Sequence, residues 1–258
     1  MTPRKTGSRK TSSRKSTPTK TAPGRTVART TGAPKPVARR KAVPRREEPA
    51  RVFLLSPANL GGIRAQMMIS PNARFQLARQ LQGESGAPLG DIFSFVSGLY
   101  FRGKLAYARR FARPPDPTDP VTAGGVLAIT SNAGLRSVDT MVTVESFRAF
   151  ATGDIDLRNP TYRKPLEQSA RALREAIGPD CEVVLLGSVA SGKYVDLLLP
   201  IFGDRLMFPP DFVGRGDMSR GGLMLRCVTA GFELPYVPLA GASRHGARPP
   251  KLEPLKRR

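Results

Sequence analysis

The chain has 258 residues, with 42 Lys and Arg against 20 Asp and Glu and a formal net charge of +22 at pH 7. Such an excess of positive charge indicates a polyanionic partner. No apolar run has the length of a membrane-spanning helix, and the N-terminus lacks the apolar stretch of a signal peptide, so we expect a cytoplasmic protein with no membrane contact.

The first 46 residues contain 15 Lys and Arg and no acidic residue, and so carry most of this charge. Thr, Ser, Pro, Ala and Gly fill the spaces between the cations and offer no apolar face to bury, which predicts a disordered tail over residues 1–50. The loose, regular spacing suits phosphate contacts rather than base readout. An organelle transit peptide is the alternative, and the frequent prolines disfavour it. The candidate phosphate contacts in the tail are Lys5, Lys10, Lys15, Lys20 and Arg25.

The first elements of the globular part are a strand and two helices. The apolar run 51–56 predicts the strand, with a turn directly after it. Ser70 followed by Pro71 is typical of a helix start and predicts a helix through residue 81. Residues 103–112 predict a second helix, followed by a solvent-exposed loop.

The second half of the chain alternates apolar strands with helices. Residues 126–130 predict a strand, and Ser131 and Asn132 lie in the turn after it. Residues 182–186 predict another strand, which Gly187 ends. The other predicted elements are helices over 162–177, 194–201 and 218–230 and strands over 206–208 and 234–237.

This alternation indicates an α/β fold with a single mixed sheet and flanking helices. We assign the domain to residues 51–245 and a basic C-terminal extension to residues 246–258. In sheets of this class, ligands bind in the loops at the carboxyl ends of the strands. The polar side chains in those loops are candidates for catalysis, and they are Ser56, Ser131, Asn132 and Ser188.

The segment from Gly187 to Lys193 follows a strand and opens a helix, as a phosphate-binding P-loop does. A P-loop has Ser or Thr after its Lys to hold magnesium, but Tyr194 stands there, so we do not expect hydrolysis of nucleoside triphosphates. Backbone N–H groups at the helix start can still bind an anion. Lys193 is therefore a candidate anion contact and Tyr194 a candidate catalytic residue, while a plain structural turn is the alternative.

Two arginines flank the start of the last predicted helix. If that helix begins near Asp217, Arg215 and Arg220 lie about one turn apart, and both guanidinium groups can contact one phosphate or carboxylate. The alternative is that Asp217 caps the helix and the arginines are solvated.

Tyr100 lies close in sequence to Arg102 and Lys104, an arrangement that suits base stacking with phosphate contacts on nucleic acid. Packing of Tyr100 in the core is the alternative. The sole histidine, His245, and two isolated cysteines do not form a set of metal ligands. We therefore predict no metal site and no cofactor, and we expect both thiols to be buried.

Five short motifs follow one another over residues 52–228. The most specific is Arg215-Gly-Asp-Met-Ser-Arg220, and the others are Leu54-Leu-Ser56-Pro-Ala58, Gly98-Leu-Tyr100 with Gly103, Leu135-Arg-Ser-Val-Asp139-Thr-Met141, and Gly187-Ser188 with Tyr194. Taken in order, they resemble the bacterial YaaA family of peroxide-stress proteins.

The resemblance implies an α/β domain of the YaaA type in a DNA-binding protein linked to protection of DNA from oxidative damage. Relatives in DNA 7-deazaguanine modification clusters imply that some members perform base chemistry. Asp139, which lies in one of the motifs, joins the candidate catalytic residues.

We therefore expect a nucleoid-associated protein whose tail contacts double-stranded DNA. The first alternative is an enzyme acting on a nucleobase, a nucleotide or DNA, with the catalytic candidates Ser56, Ser131, Asn132, Asp139, Ser188 and Tyr194. The second is an RNA- or ribosome-associated protein, because the charges of the tail do not distinguish one polyanion from another. Convergence of the polar loops in one concave pocket would favour the enzyme.

Overall fold

The computed structural model describes residues 48–253. Most of the predicted tail and the last five residues of the predicted C-terminal extension lie outside this range. The predicted phosphate contacts that fall outside the described residues are Lys5, Lys10, Lys15, Lys20 and Arg25. Within residues 48–253, no helix is long and apolar enough to cross a membrane.

Eight strands and eight α-helices form the described part of the chain. The strands are β1 (Arg51–Leu55), β2 (Ala87–Pro88), β3 (Val126–Ile129), β4 (Leu135–Ser137), β5 (Met141–Val142), β6 (Glu182–Leu186), β7 (Leu206–Phe208) and β8 (Val237–Pro238). The helices are α1 (Ile63–Ile69), α2 (Gln76–Gln82), α3 (Leu89–Ser97), α4 (Leu99–Phe111), α5 (Val144–Thr152), α6 (Pro160–Ala176), α7 (Gly192–Phe202) and α8 (Asp217–Ala230).

Six of the strands form one mixed sheet in the order β4-β3-β1-β6-β7-β8. The four central strands are parallel, and the edge strands β4 and β8 are antiparallel to their neighbours. β2 and β5 pair separately as a short antiparallel ribbon. The predicted α/β fold with a mixed sheet and flanking helices is confirmed.

Helices cover both faces of the sheet, which is why every residue of β1 is buried. Phe53 and Leu55 point to one face and pack in a core with α3, α4 and α8. Val52 and Leu54 point to the other face and pack with α6 and α7. The alternation of side chains along a strand thus divides the apolar residues of β1 between two cores.

The helices α4 and α8 cross at two glycines that allow their backbones to touch. A Cβ atom on Gly103 would lie 2.7 Å from the carbonyl oxygen of Gly221, and one on Gly221 would lie 2.7 Å from that of Leu99. This close crossing brings Arg220, at the start of α8, near Tyr100 and Lys104 on α4.

The sheet has a topological switch point between β1 and β6. The chain leaves β1 through α1 to α4 on one face and reaches β3, whereas it leaves β6 through α7 on the other face and reaches β7. The backbone N–H of Ser56 donates to the carbonyl oxygen of Leu186 at 3.1 Å, so the two strand ends stay joined. A crevice at the carboxyl ends of two such strands is the usual ligand site of open α/β sheets.

The predicted helix start at Ser70 is wrong. Ser70 ends α1, and its Oγ accepts from the backbone N–H of Asn72 in a local turn, so the next helix begins only at Gln76. The Gln82 side chain donates to the carbonyl oxygens of Met68 and Ser70 and stabilises this turn. This contact joins two helices in the folded chain, so no local sequence pattern predicts it.

Three helices were not predicted, namely α1, α3 and α5. The helix expected at 103–112 begins at Leu99, directly after Gly98, whose φ of 64° separates it from α3.

The last predicted strand is shorter than expected, because only 237–238 pairs with β7. The N–H of Leu234 instead donates to the hydroxyl of Tyr107 at 2.7 Å.

Candidate functional site

A cleft of about 510 Å³ opens at the carboxyl ends of β1 and β6. Ser56 directly follows β1, Ser188 lies in the loop after β6, and other polar groups project from the starts of α4, α7 and α8. Asn59, Ser97 and Asp154 complete the polar lining. The polar residues used below that line this cleft are Ser56, Tyr100, Ser188, Lys193, Tyr194 and Asp217. Five of these six were predicted as site residues, and they come from three separate segments of the sequence.

Lys104 lies beneath the cleft and is fully buried. Its Nζ donates to the carbonyl oxygen of Ser56 at 2.6 Å and lies 2.9 Å from the Ser56 Oγ. The same nitrogen lies 4.5 Å from the ring centre of Tyr100 and 4.6 Å from that of Phe101. Within residues 48–253, no carboxylate lies within ion-pair distance of Lys104.

This environment changes the acidity of the Lys104 side chain. Removal from water disfavours the charged ammonium and lowers its pKa to about 7, with a smaller lowering from Arg220 and an opposing effect of Asp217. A substantial fraction of Lys104 is then a neutral amine near pH 7. The predicted phosphate contact by Lys104 is therefore corrected, since a fully buried ammonium cannot reach a phosphate at the surface.

Two tyrosines, Tyr100 and Tyr194, line the same cleft. The Tyr194 hydroxyl donates to the carbonyl oxygen of Ser188 at 2.7 Å, and burial raises its pKa to about 12. The Tyr100 hydroxyl oxygen is shielded from solvent and has no acceptor for its hydrogen among the described residues, while the Arg220 guanidinium lies close to it. Burial also raises the pKa of Tyr100, so both hydroxyls remain protonated donors at neutral pH.

The loop after β6 passes very close to Ser56. A Cβ atom on Gly187 would lie 2.7 Å from the Ser56 Cβ and 2.9 Å from the Tyr194 hydroxyl oxygen. At the helix start that follows, the N-cap residue Ser191 makes no side-chain hydrogen bond to the first turn of α7. Lys193 is exposed beside this turn, and the other charged side chains that line the cleft are the carboxylates Asp154 and Asp217.

Arg220 is buried, and it was predicted to share an anion with Arg215. Its Nε donates to the carbonyl oxygen of Phe212 at 3.1 Å, and its Nη1 contacts Asp217 Oδ1 at 3.3 Å. The Nε of Arg215 donates instead to the carbonyl oxygen of Asp211 at 2.8 Å, and Arg215 does not line the cleft. The two guanidinium groups therefore have different partners, and only Arg220 lies near the cleft.

Three other predicted residues lie apart from this cleft. Ser131 lines an adjoining cavity of about 190 Å³, and its Oγ donates to the carbonyl oxygen of Phe150 at 2.7 Å. The Asn132 side-chain amide donates to the carbonyl oxygen of Ala149 at 2.9 Å. Asp139 is exposed and accepts from Arg109 at 2.6 Å. The carboxyl end of β3 thus contributes less to the cleft than the ends of β1 and β6.

Arg102 lies on the outer side of α4, away from Tyr100. Together with Arg64, Met67 and Phe95 it lines a second depression of about 420 Å³. Within the described part of the chain, neither Arg64 nor Arg102 forms an ion pair with a carboxylate.

The described residues contain no group of three or more side chains that could hold a metal ion. Both cysteines, Cys181 and Cys227, are buried free thiols, as predicted. Burial raises the pKa of each to about 11, so neither is a reactive thiolate near neutral pH.

Sequence reasoning missed the contact between Lys104 and Ser56. One signal was present, because Lys104 falls on the apolar stripe of α4 with Phe101, Leu105 and Ala108. A lysine at such a position is directed into the core. Its partner in the loop after β1, however, depends on how α4 packs on the sheet.

No protein-family model, no curated protein and no solved structure matches the chain. The YaaA resemblance therefore depends on the five short motifs alone.

Proposed function

We propose that the folded domain is an enzyme that acts on a nucleobase, a nucleotide or DNA at this cleft. The observation that carries the proposal is convergence: polar side chains from three separate segments line one cleft, with the buried Lys104 directly beneath Ser56. A concave site with perturbed titratable groups at a strand switch point is the usual location of catalysis in this fold class.

The size of the cleft and the hydrogen-bonding groups of its lining suit a nucleotide-like ligand. Its volume of about 510 Å³ lies within the range of about 300–1,000 Å³ that holds small molecules. Ser56 and Ser188 can hydrogen-bond the edge of a base. Of the described residues that line the cleft, Lys193 is the cation that a phosphate can contact; the carboxylates Asp154 and Asp217 lie in the same cleft, and Asp196 lies against Gly192 in the first turn of α7.

Calorimetric titration of the full-length protein with nucleobases, nucleosides and nucleotides tests this proposal. We expect binding of at least one member, and we expect Gly187→Ala to weaken it about tenfold or more, because the added Cβ collides with Ser56. Gly222→Ala is the matched control, since its Cβ would make only an ordinary contact, 3.5 Å from Leu252. Absence of binding across the panel would contradict the proposal.

Nucleic-acid binding is the second candidate function, and two observations favour it. The first 46 residues contain 15 Lys and Arg and no acid. On the folded domain, Arg64 and Arg102 share an exposed depression with Phe95 and have no carboxylate partner among the described residues. Phosphate contacts by arginine beside an aromatic ring are typical of nucleic-acid surfaces. We therefore propose that the protein associates with DNA in the nucleoid.

Affinity for duplex DNA at several salt concentrations tests the second function. If about eight cations of residues 1–46 engage phosphates, log affinity should fall with log salt with a slope near −7. Deletion of residues 1–46 should remove most of this slope, whereas Arg64→Gln with Arg102→Gln should reduce it by about 1 to 2. Tighter binding to RNA at equal salt would favour an RNA-associated role instead.

We further propose, on the five motifs, that the chain is YaaA-like and contributes to protection of DNA under peroxide stress. Arg215→Lys and Arg220→Lys keep the charge but remove the planar fork. If the Arg-Gly-Asp-Met-Ser-Arg element has this role, both variants should reduce survival of producing cells under peroxide while DNA affinity is unchanged. Survival equal to wild type would contradict it.

A further inference from the structure

The pair formed by Ser56 and Lys104 has the geometry of a nucleophile with its base. A carbonyl oxygen can only accept, so at 2.6 Å the Lys104 Nζ donates one hydrogen to the carbonyl oxygen of Ser56. This contact fixes the nitrogen 2.9 Å from the Ser56 Oγ. When the amine is neutral, its lone pair can accept the hydrogen of that hydroxyl.

The surroundings keep the pair available for chemistry. Apolar packing and the rings of Tyr100 and Phe101 enclose Lys104, and burial lowers the pKa of its ammonium to about 7. Ser56 lines the cleft, so its hydroxyl can be reached by a ligand there. A base that is half deprotonated near neutral pH is well matched to removing a proton from serine.

From this geometry we propose that Ser56 is a catalytic nucleophile and Lys104 its general base, in hydrolysis of a carboxylic ester or amide through an acyl-serine intermediate. The proposal rests on the proposed function in one respect, because it takes the cleft to be the active site.

The first half of the reaction forms the acyl-serine. The Ser56 Oγ forms a bond to the substrate carbonyl carbon, its proton passes to Lys104 Nζ, and the carbonyl electron pair moves onto the oxygen. When the tetrahedral intermediate collapses, the bond to the alcohol or amine breaks, and that leaving group takes the proton from Lys104.

In the second half, water attacks the acyl-serine and gives a proton to Lys104. Collapse releases the carboxylic acid, and the Ser56 Oγ recovers the proton. The sum is one ester or amide and one water converted into an acid and an alcohol or amine.

The substrate class follows from the chemistry and the size of the site. Ester, amide, lactam and N-acyl bonds all have the electrophilic carbonyl carbon that a serine attacks. Nucleobases carry lactam and N-acyl groups of this kind, which agrees with the proposed ligand class. A cleft of about 510 Å³ suits a small molecule or a single extruded base.

The test uses a fluorophosphonate probe, which reacts with activated serines, on the full-length protein, with mass spectrometry to locate the adduct. We expect one adduct at Ser56. Ser56→Ala should abolish it, and Lys104→Met should lower the labelling rate by about 100-fold or more. Ser94→Ala is the matched control, a serine on α3 that lies outside the cleft, and its labelling rate should equal that of wild type.

The pH dependence separates a base from a structural lysine. Labelling of wild type should increase with pH with a midpoint near 7, the pKa of Lys104, and Lys104→Met should lack this dependence. No adduct at Ser56, an adduct elsewhere, or equal rates in Lys104→Met would overturn the proposal. If Ser56 is not labelled but nucleobases bind, this inference fails and the proposed function stands. If Ser56 is labelled but no nucleobase binds, the dyad stands and the proposed ligand class fails.

Discussion

Two buried cations lie at opposite ends of β1, and they differ in their ion-pair partners and in the direction in which their pKa values are shifted. At the amino end, the Arg51 guanidinium contacts Glu182 at 2.8 Å and forms a second ion pair with Glu233, which also pairs with Arg113. At the carboxyl end, Lys104 has no carboxylate partner among the described residues and contacts Ser56. Burial alone lowers the pKa of Arg51, but the bonds to Glu182 and Glu233 outweigh it, so the pKa of Arg51 is raised while that of Lys104 is lowered.

This difference separates an arrangement that stabilises the fold from one that prepares a reactive group. A buried charge with matched partners contributes only when all partners are present. A buried amine without a counter-ion costs stability but gains basicity near neutral pH. The four predictions below test whether the two ends of β1 differ in this way.

Replacement of Arg51 should have the largest effect on stability. Arg51→Met leaves Glu182 without an ion-pair partner and leaves Glu233 with Arg113 as its remaining cation, in a partly buried site, and should lower the free energy of unfolding by about 3 kcal/mol. Arg109→Met is the matched control, because its pair with Asp139 is exposed, and it should cost less than about 1 kcal/mol. Denaturant titration measures both. Equal losses would show that the network at the amino end has no special role.

Lys104 should make the free energy of unfolding increase with pH above 7. The folded pKa of Lys104, about 7, lies below the ordinary 10.5. The free energy of unfolding therefore increases as pH rises from 7 to 10.5, because in this range only the unfolded state binds the proton, and the gain is lost as pH falls towards 7. The stability of wild type minus that of Lys104→Met should therefore increase by about 2 kcal/mol from pH 7 to pH 9. Denaturant titration across this range measures the difference. A constant difference would contradict an amine that deprotonates near pH 7.

Alanine substitutions at two adjacent glycines of α8, Gly221 and Gly222, should have opposite effects on stability. Gly221→Ala places a Cβ 2.7 Å from the carbonyl oxygen of Leu99 and 2.9 Å from the Cα of Tyr100, both backbone atoms. We expect a loss of about 1.5 kcal/mol and a change in the pH dependence of Ser56 labelling. Gly222→Ala should gain about 0.5 to 1 kcal/mol, because alanine favours a helix and space is available. Thermal unfolding distinguishes the two, and similar behaviour would contradict the close crossing.

Two tyrosines, the buried Tyr100 and the half-buried Tyr236, should give the smallest effects on stability and opposite ones. The Tyr236 hydroxyl lies 2.6 Å from that of Tyr107 and 3.0 Å from Glu233, so Tyr236→Phe should cost about 1 kcal/mol. Tyr100→Phe removes a hydroxyl that has no partner among the described residues and should leave stability unchanged or slightly higher. A loss of stability in Tyr100→Phe similar to that in Tyr236→Phe would show that its hydroxyl has a structural bond.

Local patterns predicted the central strands well. The runs 182–186 and 206–208 form strands with the predicted bounds, and the run 51–56 forms one that ends a residue earlier. Buried strands are continuous apolar runs bounded by Gly or Pro, which is a local property. Helix starts were predicted less well, because Ser70 uses its hydroxyl for a turn instead of a cap. A serine suits both roles, and only its neighbours in the fold select one.

The candidate site shows the same division. The sequence placed Ser56 and Ser188 in loops at strand ends and Lys193 and Tyr194 at the start of the helix that follows, and parallel strands bring such segments to one edge of the sheet. It also placed Asp139 in the candidate site, but the turn after β4 carries that residue to an exposed pair with Arg109.

By itself, the sequence determined the α/β class, the polarity of the strand-end loops and the concentration of positive charge in residues 1–46, because periodicity and composition act locally along the chain. Only the tertiary structure decided that Lys104 is a buried amine next to Ser56. That contact joins residues 48 positions apart and exists because α4 packs over the end of β1 while Gly103 and Gly221 let α8 close against it. The pKa of a lysine depends on the water and charges around it, which folding sets and the linear sequence does not contain.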